Sequence, residues 1–176
     1  MACEFITAGY SVPCANSFSG VRSIGFAEYN KNIVLTAGDV SGIGTNVIFK
    51  FELDKNDSVS YEETQETDLA TNTSVVSGVL VVDLPVLSKP MRDQLRLLAA
   101  SPIHAYIELY DGSILLAGVE FGMQSTSLKL ATGKARKDMS GFSLSFASIE
   151  RDLIPYLASA AVTAYEGLVS DVYMVQ

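Results

Sequence analysis

A chain of 176 residues, 48% hydrophobic and 18% charged, suits one domain with a real core, and its charge content falls below the roughly 25% usual in soluble domains. Its net charge of −8, from 12 basic and 20 acidic side chains, excludes an overall electrostatic grip on nucleic acid. Two cysteines, Cys3 and Cys14, cannot fill a tetrahedral zinc shell, and no apolar run approaches the roughly 20 residues of a membrane helix.

The sparse charge predicts apolar surface that meets a partner chain, against the plainer alternative of a thick core in a monomer. Met-Ala-Cys-Glu-Phe-Ile lacks the basic-then-apolar pattern of a signal peptide. A cytoplasmic origin with reduced thiols is the expectation, with a disulfide between Cys3 and Cys14 left open.

Residues 1 to 20 mix Gly9, Pro13, Gly20 and several Ser with isolated apolar residues, a pattern of an arm or loop. Val21 to Tyr29 reads as a strand, Asn30-Lys31-Asn32 as a turn, and Ile33 to Ala37 as a second strand. The spacing of Gly38, Gly42 and Gly44 invites comparison with a phosphate loop, but no Lys-Ser or Lys-Thr follows and the next element reads as a strand rather than a helix. In the strand Asn46 to Leu53, Val47, Phe49, Phe51 and Leu53 share one face. Ile48 breaks the polar face, so both sides are expected to be partly covered.

Asp54-Lys55-Asn56-Asp57 predicts a turn into a strand from Ser58 to Thr67, and pairing of the two strands would make a hairpin. Seven carboxylates, Glu52, Asp54, Asp57, Glu62, Glu63, Glu66 and Asp68, fall in this region with Lys55 as the only base among them. They are read as a solvated face or as a surface that repels anions. No Asp-x-Asp-x-Asp-Gly loop accompanies them to make a cation site.

Thr73 to Asp83 is rich in Val and Leu and reads as a well-buried strand ended by Pro85. Ser88 caps a helix with Pro90 in its first turn, where a missing N–H costs nothing, and Met91, Leu95 and Leu98 form its core face. His104 to Tyr110, the Asp111-Gly112 turn, and Ser113 to Glu120 predict a tight hairpin. Ser125 to Ala131 and Gly141 to Ser148 continue the strand pattern, with Phe142, Leu144 and Phe146 on one face. From 149 to 176, apolar residues at helical spacing are interrupted by Pro155 and Gly167, a partly helical C-terminal extension. The organisation read is a β domain over 1–150 and an extension over 151–176.

No catalytic constellation emerges. His104, the single histidine, lies in a predicted strand without a nucleophile partner, Ser140 to Ser148 contains no Gly-x-Ser-x-Gly elbow, and the Lys134, Arg136, Lys137 cluster is read as a solvated loop. Catalytic, cofactor-binding and metal residues are therefore all expected to be none.

Several features together resemble the tail-tube-type virion proteins of tailed phages, particularly phages of Bacteroidetes, crAss-like ones included. They are Cys3, Gly9 and Cys14 before Gly20-Val21-Arg22, Tyr61-Glu62-Glu63 opening the middle strand, and the helix followed by the Asp-Gly hairpin. Thr132-Gly133, Asp138 and Gly141-Phe142-Ser143-Leu144-Ser145-Phe146 close the likeness, which spans about residues 1 to 150. The resemblance implies a β-sandwich or half-barrel with one flanking helix. Its subunits pair into homo-oligomeric rings that stack around a DNA channel in the virion tail, after assembly in the host cytoplasm. Implied partners are copies of the chain and neighbouring tail or portal proteins, with DNA passing through unbound and no membrane anchor. The segment Glu150 to Gln176 is longer than that family needs and suggests a ring or adaptor touching a neighbouring layer. On this reading part of the set Glu52, Asp54, Asp57, Glu62, Glu63, Glu66 and Asp68 lines or rims the channel, whereas a ligand-binding β-barrel would need an enclosed pocket.

Overall fold

The computed structural model describes residues 20–53, 59–85, 87–134, 138 and 140–174. The arm with Cys3 and Cys14, the carboxylates Asp54 and Asp57, and the bases Arg136 and Lys137 lie outside the described residues. The strands are β1 (Val21–Glu28), β2 (Ile33–Thr36), β3 (Asp39–Ile43), β4 (Ile48–Glu52), β5 (Val59–Asp68), β6 (Thr73–Leu84), β7 (Ile103–Leu109), β8 (Ile114–Ala117), β9 (Gln124–Ala131), β10 (Gly141–Glu150) and β11 (Val169–Met174). Two helices, α1 (Lys89–Leu98) and α2 (Ser159–Leu168), complete the described elements. The protein is mainly β, in three sheets that do not close into a barrel: a five-stranded sheet in the order β11-β4-β1-β7-β8, a four-stranded sheet in the order β5-β6-β10-β9, and the pair β2-β3.

Local chemistry sets several of these elements. Ser88 Oγ accepts the Met91 N–H at 3.3 Å, Pro90 lies in the first turn, and α1 buries Met91 and Leu95. At the β7–β8 turn, Gly112 takes φ +88°, Asp111 Oδ1 accepts the Ser113 N–H at 2.8 Å, and the Leu109 N–H reaches Ser113 O at 2.9 Å. The glycine-bearing stretch after Gly38 forms a strand: β3 pairs with β2 from Thr36↔Asp39 to Ile33↔Ile43. The expected hairpin between β4 and β5 does not form. β4 pairs with β1 and β11, while β5 pairs with β6 along ten residues in the other sheet.

The two large sheets contribute to one core. From the five-stranded sheet come Ile24, Phe26, Phe51 and Ile107; from the four-stranded sheet Leu80, Val82, Phe142, Leu144 and Phe146; and from α1 Met91 and Leu95. Phe26 anchors it, with its ring centroid 5.5 Å from that of Phe51 and 5.6 Å from that of Phe146. A second core forms on the opposite face of the five-stranded sheet, where Ile48, Tyr106, Ile114 and Leu116 meet Val40 and Ile43 of β3, Leu157, and Ala161 and Tyr165 of α2. Ile48, which breaks the polar face of β4, is buried in this second core. The residues after Glu150 thus supply Leu157, α2 and β11, the last running parallel to β4 from Val169↔Ile48 to Met174↔Glu52. Gly167 does not interrupt α2, because it falls one residue before the helix ends.

The four-stranded sheet has no such second layer among the described residues. β6 is buried on alternate positions only: Val76, Leu80, Val82 and Leu84 face the core, whereas Val75 and Val79 on the other side are 40% and 45% exposed. The continuous apolar run is therefore a one-sided strand, not one buried on both faces.

Tyr165 packs on Tyr106 with ring centroids 5.3 Å apart, and its buried hydroxyl finds no hydrogen-bond partner among the described residues. Burial, then the nearby charge of Glu108 and the Tyr106 ring, push its phenol well above the usual range. An unpaired buried hydroxyl costs more than it contributes. Tyr165→Phe is accordingly expected to leave stability unchanged or to raise it by about 1 kcal/mol in denaturant unfolding, and a loss of that size would show the hydroxyl to be partnered.

Candidate assembly face and acidic groove

The seven sequence-predicted carboxylates do not form one patch. Glu52 ends β4 in the five-stranded sheet, opposite Ser23 and Met174. On β5, side-chain alternation sends Glu62, Glu66 and Asp68 to the outer, uncovered side of the four-stranded sheet and turns Glu63 to the core side. Asp54 and Asp57 lie outside the described residues.

The cross-strand register builds the outer face row by row. Glu62, Val79, Ala147 and Gln124 lie in one row, and Ser60, Val81, Ser145 and Ser127 in the next. Asp83, Ser143 and Lys129 form a third, while Glu66 stands opposite Val75. The face is short-chained, rich in hydroxyls and acidic. Asp83 belongs to it but escaped the sequence reading, because it closes a run of valines; its position one step from the buried Leu84 is the signal that places it. Asp68 also shapes its own turn, accepting the Ala70 N–H at 2.8 Å and the Thr71 hydroxyl at 2.9 Å, and these bonds hold its carboxyl below the usual range.

Both edges of this sheet are unpaired among the described residues, and they differ in chemistry. β5 carries the carboxylates. On β9, Leu128 and Leu130 stand opposite the buried Leu144 and Phe142, on the core side, yet remain 42% and 52% exposed. The core thus runs out to an open edge that none of the described residues covers.

Glu63 belongs to a separate groove of about 790 Å³ lined by Tyr61, Glu63, Glu120, Glu150, Ile154 and Tyr156 among others. The Tyr61 hydroxyl donates to Glu63 Oε1 at 2.5 Å, and the Ile154 N–H donates to Glu63 Oε2 at 3.1 Å. Glu63 therefore ties the edge strand to the segment that follows β10. Burial, the bond to Glu63 and the charges of Glu63 and Glu150 raise the Tyr61 phenol far above its ordinary value. Glu150 Oε2 accepts the Glu120 N–H at 2.8 Å, while Oε1 is buried without a partner among the described residues. Burial first, then the charges of Glu120 and Glu63, raise the Glu150 carboxyl above its ordinary range, against the pull of backbone bonds from Glu120 and Phe121. Arg151 reaches Glu120 at 3.6 Å from an exposed position.

Elsewhere, Glu108 is the centre of an ion cluster, accepting from Ser23 and from Lys50, each at 2.6 Å, with Arg22 at 3.3 Å. Burial alone would raise its carboxyl, but the bonds from Lys50 and Ser23 and the two cations outweigh it, and the net direction is down. His104 is fully buried against Tyr29, with ring centroids 5.0 Å apart, and Nε2 lies 3.0 Å from the Asn30 backbone; burial lowers its pKa. Among the described residues no group of three His, Cys, Asp or Glu side chains is arranged to hold a metal ion, and no helix is long and apolar enough to cross a membrane.

No family model matches the chain, and no curated protein matches it. Among solved structures it is similar to a chain described as "Virion of native gene transfer agent (GTA) particle", at TM-score 0.37 and 10% identity over 58% of this chain and 84% of that one.

Glu150 sets a pH dependence. Its folded-state pKa lies above the ordinary 4.5 of an unfolded chain, so the contribution of this one group to stability is fullest below that value and is lost as pH rises through the folded pKa. Glu150→Gln is expected to raise the melting temperature at pH 7, with the gain fading as pH falls toward 4.5; a variant destabilised at pH 7 and less so near pH 4.5 would show the carboxylate to be favourably held.

Proposed function

We propose that this protein is a structural subunit of a tailed-phage virion that assembles edge to edge into a ring around a DNA channel. The observation that carries the reading is the four-stranded sheet. It combines an uncovered outer face with two edges unpaired among the described residues, one of which leaves core-facing leucines half exposed. A sheet in this condition is completed by a second copy, whose β5 edge joins β9 and covers Leu128 and Leu130. Repetition about an axis closes a ring and removes every free edge of that sheet.

The outer faces then become the channel wall. Short Ser, Thr, Ala and Val side chains keep it smooth, and Glu62, Glu66, Asp68 and Asp83 against Lys129 keep it acidic. DNA passing such a wall meets no set of cations to neutralise its phosphates, so no retention energy accumulates. The resemblance of residues 1 to 150 to tail-tube-type virion proteins supports the same reading. The alternative of a ligand-binding barrel finds less support, since the sheets do not close and Phe26, Phe51 and Phe146 fill the space between them.

Two measurements test this. Cryo-electron microscopy of the full-length protein is expected to show closed rings, and the pair Leu128→Lys with Leu130→Lys to abolish them while the monomer melts within a few degrees of wild type; rings unchanged by the pair would remove the β9 edge from the interface. In assembled rings, Glu62→Lys with Glu66→Lys is expected to create DNA retention. Each added phosphate contact should steepen the dependence of log affinity on log salt by about 0.9, whereas unchanged passage would place that face away from DNA.

A further inference from the structure

His104, the single histidine of the sequence, is fully buried where β7 begins, opposite Ala27 of β1. Its Nε2 stands 3.0 Å from both backbone polar atoms of Asn30, the nitrogen whose N–H donates to it and the carbonyl oxygen that can accept from it. Neutral, with its proton on Nδ1 toward the Gly118 backbone, the ring accepts the Asn30 N–H. Protonated, Nε2 can only donate, so the bond passes to the Asn30 carbonyl and the N–H loses its acceptor.

Asn30 is where the chain leaves the five-stranded sheet for the β2–β3 pair. Its Oδ1 accepts the Asn32 N–H at 2.9 Å, and its amide lies so close to Gly44 that a Cβ there would come within 2.8 Å of Nδ2. β2, which follows, is paired with β3 alone, and Val34 and Leu35 on it are half-exposed. β3 is held more firmly. Val40 is fully buried, its N–H donates to Tyr156 O and its carbonyl accepts the Ala158 N–H, both at 2.8 Å. Loosening the turn therefore frees β2 before β3. Leu35, Ala37, Gly38 and Asp39 also form one wall of the groove that holds Glu63, Glu120 and Glu150.

We propose that His104 is a proton-operated latch: protonation at Nε2 releases Asn30 and lets β2 peel from β3, loosening that wall of the acidic groove. The latch works within one chain and does not depend on the ring. Burial lowers the ring's pKa, against the backbone groups of Asn30 and Gly118, which favour the charged form. The titratable and charged groups on the elements around it are Glu28, Tyr29, Lys31, Asp39 and Glu120, and none of them adds to or offsets this shift. With the closed-state pKa lowered and the ordinary 6.5 restored on opening, the closed latch is fully favoured above 6.5 and loses ground as pH falls through that value. Glu150 in the same groove acts in the opposite sense, since burial favours its protonated form.

Hydrogen exchange of the full-length protein, read by mass spectrometry and corrected for the intrinsic effect of pH, measures the latch. Between pH 7.5 and 5.5 the opening constant of residues 30–36 is expected to rise about tenfold, the factor that an open-state pKa of 6.5 supplies, while residues 141–150 keep their protection. His104→Gln, whose amide accepts the Asn30 N–H but cannot titrate, is expected to remove the difference, and Glu150→Gln to leave it. Without any substitution, the NMR signals of the one imidazole are expected to show the Nδ1–H form at pH 7.5 and a midpoint below 6.5. Equal protection of residues 30–36 at both pH values, a loss shared equally by residues 141–150, a difference that survives His104→Gln, or a ring in the Nε2–H form would each overturn the proposal.

Discussion

The fold depends on a central pair of strands, β1 and β7, that must be buried on both faces. A helix can cross a strand closely only where the strand presents almost nothing, and Gly25 meets that demand. A Cβ there would lie 2.9 Å from Ile48 Cγ2 and 3.2 Å from the Tyr165 hydroxyl, closer than packed side chains tolerate. Ser23 and Ala27 on the same face of β1 are also small and buried. Given these residues, α2 can lie down on the sheet, and the β2–β3 pair closes the layer beside it through Val40 and Ile43.

The same constraint explains the contrast between the two large sheets. The five-stranded one has both faces occupied and gathers Lys50 and Arg22 around Glu108, which also accepts from Ser23. Carboxylates in the four-stranded sheet divide by strand parity instead. Glu63 on the inner side is satisfied by Tyr61 and the Ile154 backbone, and those on the outer side face solvent. Surface left for recognition is thus concentrated on one sheet, and chemistry that looked uniform along the sequence separates into a clamp and a face.

What could be read from the sequence was set by interaction range. Ser88 with Pro90 and Asp111 with Gly112 act over three or four residues, and the elements they specify are in place. Ile48 signalled a covered second face on β4, but the cover, Tyr165, is more than a hundred residues distant and leaves no local trace. The hairpin expected between β4 and β5 failed for the same reason. Turn residues between two strands favour reversal of the chain, yet β4 finds better partners in β1 and β11, and β5 finds a ten-residue one in β6. Among the carboxylates, residue type was legible and direction was not, because a shift of one position along β5 exchanges the clamp for the face.

The parallel strand β11 carries a consequence in time. Its partner β4 precedes it by some 120 residues, so at roughly 5–20 residues per second of synthesis β4 waits about 6–24 s for the strand that will occupy its outer edge. Through that interval β1 and β4 can pair, joined by β7 once it is made, while one margin of their sheet stays open to any passing strand. Long-range pairing of this kind is slow to form. A nascent chain therefore exposes the margin of β4 that β11 occupies in the mature protein. The ribosome-bound state, more than the finished subunit, is where a shielding factor or a low local concentration of copies decides between correct completion and premature association.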